Sequence, residues 1–304
     1  MEQKSMTALI SAFSRAYHSQ SNEITIFDDS MAKLLLSEAE YAQIAKSMAN
    51  GVKFFNPSFS GNEDEALRWI VDNQLSPSPL GRAAYAEKML KNAVNIGTMQ
   101  YLIFAAGYDT FACRQPSWAN KIQIFEIDHP LVIKDKMARL ERNDIPATDK
   151  VHYVSADFTK DMWQKALLDE PAFCRDKVSF CSLLGLSYYL SKQDFSEMLL
   201  IIGGLLPKGS ALVFDYPDQD TYTDKAGERT KKQLLLAKEA KESMLAGYSY
   251  KDIENILEKA GFLIYEHLEP DEITRQYFYE YNASNPNHKI IAFDNVNYCL
   301  AVKK

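Results

Sequence analysis

The sequence predicts an α/β protein built on a doubly wound, mostly parallel sheet, and three observations favour this class. Short apolar segments recur between residues 100 and 216, which is typical of strands buried on both faces of a sheet. Stretches with helical spacing separate these segments, and parallel strands need such crossovers. Two further strand segments near the end of the chain have no obvious crossover helix between them, which allows an antiparallel final pairing.

The first eighty residues predict helices that form an N-terminal helical cap, residues 1–81. Leu35, Leu36 and Ile44 recur among polar residues, and Gly51 then breaks the pattern. A new helix is expected to open at Arg82, because apolar side chains follow it at steps of three and four up to residue 97. Arg82 therefore begins the predicted cofactor-binding core, residues 82–216.

Five segments of this core are predicted as strands, because each is a short apolar run bounded by turn residues. Helices are expected between them. Pro130 suits a first helical turn, and Ser191 with Asp194 has the spacing of a capping box. The predicted strands cover residues 100–106, 123–128, 151–157, 177–185 and 209–216.

The pattern changes after residue 216. A Lys- and Glu-rich stretch, residues 224–243, lies within an insertion over residues 217–248, and it is either a solvated surface helix or a lid over the site. Ser249 and Asp252 then cap a helix that ends at Gly261, and strands at 262–268 and 296–302 follow. The chain, residues 1–304, is thus predicted as a single domain in which residues 249–304 form the C-terminal helix and the last strands of the sheet.

Composition and charge exclude several classes of protein. The net charge is −7, whereas nucleic-acid binding depends on Lys and Arg neutralising phosphates. The longest apolar run, residues 198–206, is far shorter than the roughly 20 residues that span a bilayer. The cysteines and histidines are scattered without paired spacing, which predicts no metal site. We therefore expect a cytoplasmic protein that binds neither nucleic acid nor membrane.

Acidic residues end the first three predicted strands. Ligands of open parallel sheets bind outside the carboxyl ends of the strands, so these residues are candidates for a site. Asp128 suits a ribose diol, because an ionised carboxylate accepts from both hydroxyls. Asp157 with Phe158 suits an adenine amine and ring face, and Gly107 permits close backbone approach. Asp109 either caps the next helix or binds the amino group of the ligand.

A pyrophosphate-binding turn is poorly supported at the end of the first strand. The dinucleotide fingerprint requires G-x-G-x-x-G, and this chain has Ala105, Gly107 and Thr110 at the glycine positions. An NAD-dependent oxidoreductase on a similar sheet therefore remains only an alternative.

Four motifs follow one another along most of the chain. They are Ala106-Gly107-Tyr108-Asp109-Thr110 with Arg114, Phe125-Glu126-Ile127-Asp128-His129-Pro130, Asp157-Phe158, and Leu184-Gly185 with Tyr189-Leu190. In their order and spacing these motifs resemble the leucine carboxyl methyltransferase family, and the combination of a G-x-D-T turn with E-x-D-H-P is uncommon outside it.

The resemblance implies a seven-stranded, Rossmann-like methyltransferase sheet that uses S-adenosylmethionine. By position, Gly107 and Asp109 would line the methionine part, Asp128 the ribose, and Asp157 with Phe158 the adenine. Arg82 is similar to the family arginine that pairs with the methionine carboxylate, and Arg15 would assist it. The remaining cofactor-binding positions implied by the motifs are Ala106, Ile127 and Leu184.

Some positions depart from the family pattern. Ala105 replaces the first glycine of the turn, Phe111 replaces an arginine, and Leu184 replaces a glutamate that many members carry. Thr159 stands where the phosphatase-directed members place a cation. A methyltransferase-like binding protein with weak or no activity is therefore a second alternative, and a phosphatase substrate is not favoured.

The leading hypothesis is an O-methyltransferase whose acceptor is a carboxylate or hydroxyl of a small molecule or peptide. A carboxylate is ionised near neutral pH and needs no general base, whereas a hydroxyl needs one. Tyr188 and Tyr189, after the fourth strand, are the candidates for orienting the acceptor.

Overall fold

A seven-stranded sheet forms the centre of the protein. The computed structural model describes residues 6–146, 148–239, 244 and 246–304. The strand order is β3-β2-β1-β4-β5-β7-β6; β1 to β5 pair in parallel, and β7 is antiparallel to both β5 and β6. The predicted fold class and antiparallel ending are confirmed. The strands are β1 Gln100–Phe104, β2 Gln123–Asp128, β3 Val151–Ser155, β4 Ser179–Leu183, β5 Ala211–Pro217, β6 Phe262–Leu268 and β7 Val296–Lys303.

Helices cover both faces of the sheet and precede it in the chain. No helix in the described ranges is long and apolar enough to cross a bilayer. A π-helical turn, Val71–Leu75, joins α4 to α5. The helices are α1 Met6–Ser21, α2 Glu38–Asn50, α3 Val52–Phe55, α4 Glu63–Ile70, α5 Pro77–Asn95, α6 Phe111–Arg114, α7 Pro130–Arg142, α8 Lys165–Leu168, α9 Lys192–Leu205, α10 Glu228–Glu239, α11 Tyr250–Lys259, α12 Pro270–Tyr277 and α13 Tyr279–Ser284.

Alternate side chains of each central strand enter two different cores. In β1, Leu102 and Phe104 pack with α9 and α11, whereas Tyr101 and Ile103 pack with α5 and α12. All five residues of β1 are buried, which explains why the strand is a continuous apolar run. A separate core of the N-terminal helices includes Tyr108, so these helices pack over the turn that follows β1.

Two expectations about helices are wrong. Helix α5 begins at Pro77 instead of Arg82, because proline is preorganised for a first helical turn. Gly81 lies inside this helix, where an added Cβ would overlap the hydroxyl of Tyr298, so the glycine permits close packing. The segment between β6 and β7 is also not free of helices, since α12 and α13 occupy it.

The insertion after β5 contains α10, in agreement with the expected helix in residues 224–243. Residues 240–243 lie outside the described residues. The chain returns at Tyr248, whose N–H donates to the Pro217 carbonyl at 2.9 Å. The insertion therefore leaves and rejoins the core at the end of β5.

Candidate active site

A cavity of about 230 Å³ opens at the carboxyl ends of β1, β2 and β4. Strands β1 and β4 are neighbours but not consecutive, so this is the point where the strand order reverses. Ligands of open parallel sheets bind at this point. The structure brings eight of the predicted residues together here, namely Arg15, Arg82, Ala106, Gly107, Asp109, Asp128, Leu184 and Tyr189.

The turn after β1 forms the floor of this cavity and has an unusual backbone. Ala105 and Gly107 both have positive φ, at 53° and 52°. This conformation is free of cost for glycine but unfavourable for alanine. The Asp109 carboxylate accepts from the Phe111 N–H at 2.8 Å, and the buried Lys136 ammonium donates to the Asp109 carbonyl at 2.6 Å. The Asp109 side chain thus closes a turn just ahead of α6, whose N-cap position is Thr110, and it also lines the cavity.

Asp128, at the end of β2, joins two backbone segments beside the cavity. Its Oδ2 accepts from the Gly107 N–H and its Oδ1 from the His129 N–H, each at 2.6 Å. Burial raises the pKa of Asp128, although these two backbone donors oppose the rise. A carboxylate has about four acceptor positions, so two remain for the hydroxyls of a ligand.

Three guanidinium groups in the described part of the chain line the same cavity, those of Arg15, Arg82 and Arg114, and Arg114 is paired with Glu87 and Asp29. Arg15 donates from Nε to Asp29 at 2.8 Å and from Nη2 to the Tyr108 carbonyl at 2.6 Å, so it also holds the turn. Arg82 projects from α5, and its Nη1 lies 3.5 Å from Asp215. Planar guanidinium groups match a carboxylate ligand.

A second cavity of about 210 Å³ adjoins the first. Helix α1, the π-helical turn, α10 and the segment before β7 supply its walls, and Tyr188 lines it. Among the described residues of its lining, Arg82 is the one charged side chain. The residues that line both cavities are Thr7, Ser11, Pro79, Arg82, Gly185 and Tyr189.

Comparison with known proteins agrees with this arrangement. Residues 8–202 match the family described as leucine carboxyl methyltransferase. The chain belongs to this family. The chain is 39% identical over 307 residues to YktD of Bacillus subtilis, which is classed as an S-adenosyl-L-methionine-dependent methyltransferase, with 99% of both chains covered. This member of the leucine carboxyl methyltransferase family is therefore an S-adenosylmethionine-dependent methyltransferase, as the motifs predicted.

Solved structures show the same fold as this methyltransferase. A DUF574 family protein of Streptomyces avermitilis has a TM-score of 0.59 at 12% identity, with 97% of both chains covered. A protein of Thermobifida fusca described as a methyltransferase has a TM-score of 0.53 at 14% identity, covering 99% of this chain and 96% of that one. These likenesses confirm the architecture and, at such low identity, speak to the fold alone.

Three residues predicted to bind the cofactor lie outside the first cavity of the methyltransferase. Ile127 is buried in β2. The Asp157 carboxylate accepts from the Thr159 N–H at 3.0 Å and from its hydroxyl at 2.7 Å, and these bonds lower the pKa of Asp157. The Phe158 ring packs on Phe104 and Trp163. The assignment of Asp157 and Phe158 to adenine therefore stays a prediction.

Sequence reasoning missed two acidic residues of the methyltransferase: Asp29, which lines the first cavity, and Asp215, which lies behind it in contact with Arg82. Asp215, in β5, is fully buried, accepts from the Gly185 N–H at 2.6 Å and accepts from the Tyr188 hydroxyl at 3.0 Å. Asp128 was predicted as a site residue because it lies at the end of a parallel strand. Asp215 lies near the end of β5, so the same rule applied to β5 would have predicted Asp215.

Proposed function

We propose that this enzyme transfers a methyl group to an oxygen atom, and specifically to a carboxylate, of a small molecule or peptide. The observation that carries this proposal is the lining of the second cavity, where the described residues include no Asp, Glu, His or Lys side chain that could act as a base. An ionised carboxylate acts as a nucleophile without a base. A hydroxyl acceptor would need a base to take its proton.

Tyr188 does not meet the need for a base. Its hydroxyl donates to Asp215, and burial raises the pKa of Tyr188 well above its ordinary value. A tyrosine in this state stays protonated near neutral pH and serves as a donor. Tyr188 and Tyr189 are therefore proposed to orient the acceptor and not to deprotonate it.

The first cavity fits S-adenosylmethionine, which supplies an activated methyl group on a positively charged sulphur when it is bound. Asp128 has acceptor positions for the ribose hydroxyls. Gly107, with its positive φ, leaves the backbone open to approach, and Arg82 with Arg15 matches the amino-acid carboxylate. The protein would then contribute mainly by positioning the acceptor and excluding water.

Helix α10 is proposed as the lid of the acceptor cavity. Thr230, Gln233 and Leu234 line that cavity. Lys232 donates to the Phe55 carbonyl at 3.0 Å, and Gln233 donates to the Gln74 carbonyl at 3.3 Å. The helix is thus fastened across the N-terminal cap by polar contacts, which break more readily than a packed apolar interface.

The test uses methyl-tritiated S-adenosylmethionine with a panel of carboxylic acids and the matching alcohols. Methyl esters release volatile methanol in mild alkali, whereas methyl ethers and methylamines do not. We expect alkali-labile label on a carboxylic acid. Alkali-stable label would contradict a carboxylate acceptor, and binding of S-adenosylhomocysteine without any transfer across the panel would favour a protein that binds the cofactor only.

A further inference from the structure

Asp215 lies directly behind the place where the two cavities meet. Its side chain is fully buried, and it is not part of the lining of either cavity. Its partners come from two other parts of the fold. The turn after β4 supplies the Gly185 N–H at 2.6 Å and the Tyr188 hydroxyl at 3.0 Å, and α5 supplies Arg82 Nη1 at 3.5 Å.

All three partners are hydrogen-bond donors, which suits an ionised carboxylate because it only accepts. A buried carboxylate is costly without a cation beside it, and Arg82 is the cation in contact with Asp215. The attraction therefore fixes one edge of the Arg82 guanidinium, while the side chain lines both cavities.

Gly185 makes this position of Arg82 possible. The glycine has a positive φ of 69°, and a Cβ at this position would overlap the guanidinium of Arg82. The guanidinium is thus held between the bare backbone of Gly185 and the carboxylate of Asp215. A side chain held in this way loses little freedom when a ligand binds.

We infer that Asp215 is a positioning residue that aims Arg82 at the carboxylate end of the cofactor. The inference rests on the proposed function in one respect, namely that the amino-acid carboxylate of the cofactor binds at Arg82. It predicts that Asp215 controls affinity for ligands that carry this carboxylate and not for ligands that lack it. A residue that merely stabilises the fold would affect both kinds of ligand alike.

The experiment compares two ligands in Asp215→Asn by calorimetry. S-adenosylhomocysteine carries the amino-acid carboxylate, and 5′-methylthioadenosine has the same nucleoside without it. We expect Asp215→Asn to weaken binding of S-adenosylhomocysteine by about tenfold, the scale of one charge-assisted contact, with little change for methylthioadenosine. The amide oxygen of asparagine still accepts from Gly185, so the turn is retained.

Ser187→Ala is the matched control. Ser187 is equally buried and donates to the backbone carbonyl of Asp215 at 2.7 Å, away from Arg82. It should leave the ratio of the two affinities unchanged. If Asp215→Asn does not fold, Gly185→Ala displaces Arg82 from the other side and should cause the same selective loss.

Equal weakening of both ligands, or no weakening of S-adenosylhomocysteine, would overturn the inference alone. Failure of the wild-type protein to bind S-adenosylhomocysteine would overturn the placement of the cofactor carboxylate at Arg82 and the inference with it. The two failures are therefore distinguishable in one set of titrations.

Discussion

At the scale of single residues, Asp128 serves both the turn after β1 and the proposed ribose contact. Its two oxygens already accept from Gly107 and His129. Because these bonds hold the carboxylate in place before a ligand arrives, binding requires little reorganisation. The residue therefore combines a structural function with a proposed binding function.

Replacement of Asp128 tests that combination. Asp128→Ala is expected to weaken binding of S-adenosylhomocysteine by about 1 to 3 kcal/mol, the scale for leaving polar groups unpaired. Calorimetric titration measures the loss. Asp149→Ala, at an exposed aspartate, is the control and should bind as the wild type does. Unchanged affinity in Asp128→Ala would remove this residue from the site.

Ala105 replaces a glycine of the family pattern, but its backbone keeps the left-handed conformation that glycine favours. Its φ of 53° favours glycine. The left-handed conformation costs alanine roughly 1 to 2 kcal/mol, whereas added glycine entropy costs about 0.5 to 1 kcal/mol. Ala105→Gly should therefore leave the free energy of unfolding nearly unchanged or raise it.

An ordinary helical alanine gives the contrast. Ala138→Gly, on the exposed face of α7, should lose about 1 kcal/mol. Urea denaturation of both variants measures the difference. Equal losses at the two positions would mean that Ala105 is not strained.

At the scale of elements, two adjacent glycines of α9 differ in their surroundings. A Cβ at Gly203 would overlap the carbonyl oxygen of Ala260 at the end of α11, whereas a Cβ at Gly204 would meet nothing within 4 Å. Gly203 thus permits the close contact of α9 with α11. Gly204 is available for substitution.

The two alanine variants should shift stability in opposite directions. Gly203→Ala is expected to lower the free energy of unfolding by about 1 to 3 kcal/mol through overpacking. Gly204→Ala should raise it by up to about 1 kcal/mol. Chemical denaturation of both variants measures these changes in the free energy of unfolding. A Gly203→Ala variant as stable as the wild type would show that α9 and α11 can move apart at no cost in stability.

Helix α10 is expected to open more often when one of its polar contacts is removed. Arg229 donates to the Ile291 carbonyl at 3.2 Å and stacks 3.9 Å from the centre of the Phe293 ring. Arg229→Met should speed hydrogen exchange of the α10 amides by about fivefold, equivalent to roughly 1 kcal/mol. Binding of S-adenosylhomocysteine should not change, because α10 borders the other cavity.

Lys231→Met is the control for this helix. The Lys231 ammonium pairs with Glu228 at 3.6 Å on the exposed side, and such surface pairs contribute little. Exchange as fast in Lys231→Met as in Arg229→Met would argue against a specific fastening of α10.

At the scale of the whole molecule, a buried histidine links stability to pH. His18 of α1 accepts from the Ile26 N–H at 2.9 Å, and burial, aided by Arg68, lowers the pKa of His18 to about 4. The unfolded chain binds this proton more readily, since its histidine has an ordinary pKa near 6.5. The free energy of unfolding therefore falls as the pH falls from 6.5 towards 4.

Linkage gives a loss of about 1 kcal/mol from His18 between pH 7 and 5.5. Urea denaturation at both values measures it. A His18→Gln variant should lose less over this interval, because glutamine does not titrate. The same loss in both proteins would show that the pH dependence arises elsewhere.

The strands, and the residues that lie around the first cavity, could be predicted in large part from the sequence. Strand β2 has the predicted limits, and Gly107, Asp109 and Asp128 line one cavity. The strand predictions worked because buried parallel strands are continuous apolar runs, and the three residues lie together because the carboxyl ends of neighbouring parallel strands meet at one edge of the sheet. The start of α5 was missed because the apolar spacing that indicated this helix begins only after Arg82, whereas its first turn starts at Pro77.

The sequence by itself determined the family, the strands and the chemical character of their ends, because these depend on residues close together in the chain. Only the tertiary structure decided which ends meet. Strand order places β1 beside β4 and leaves β3 at an edge, and it brings Asp215 within 3.5 Å of Arg82, 133 residues away. Local patterns do not encode strand order, because pairing joins segments whose separation along the chain leaves no periodic signal.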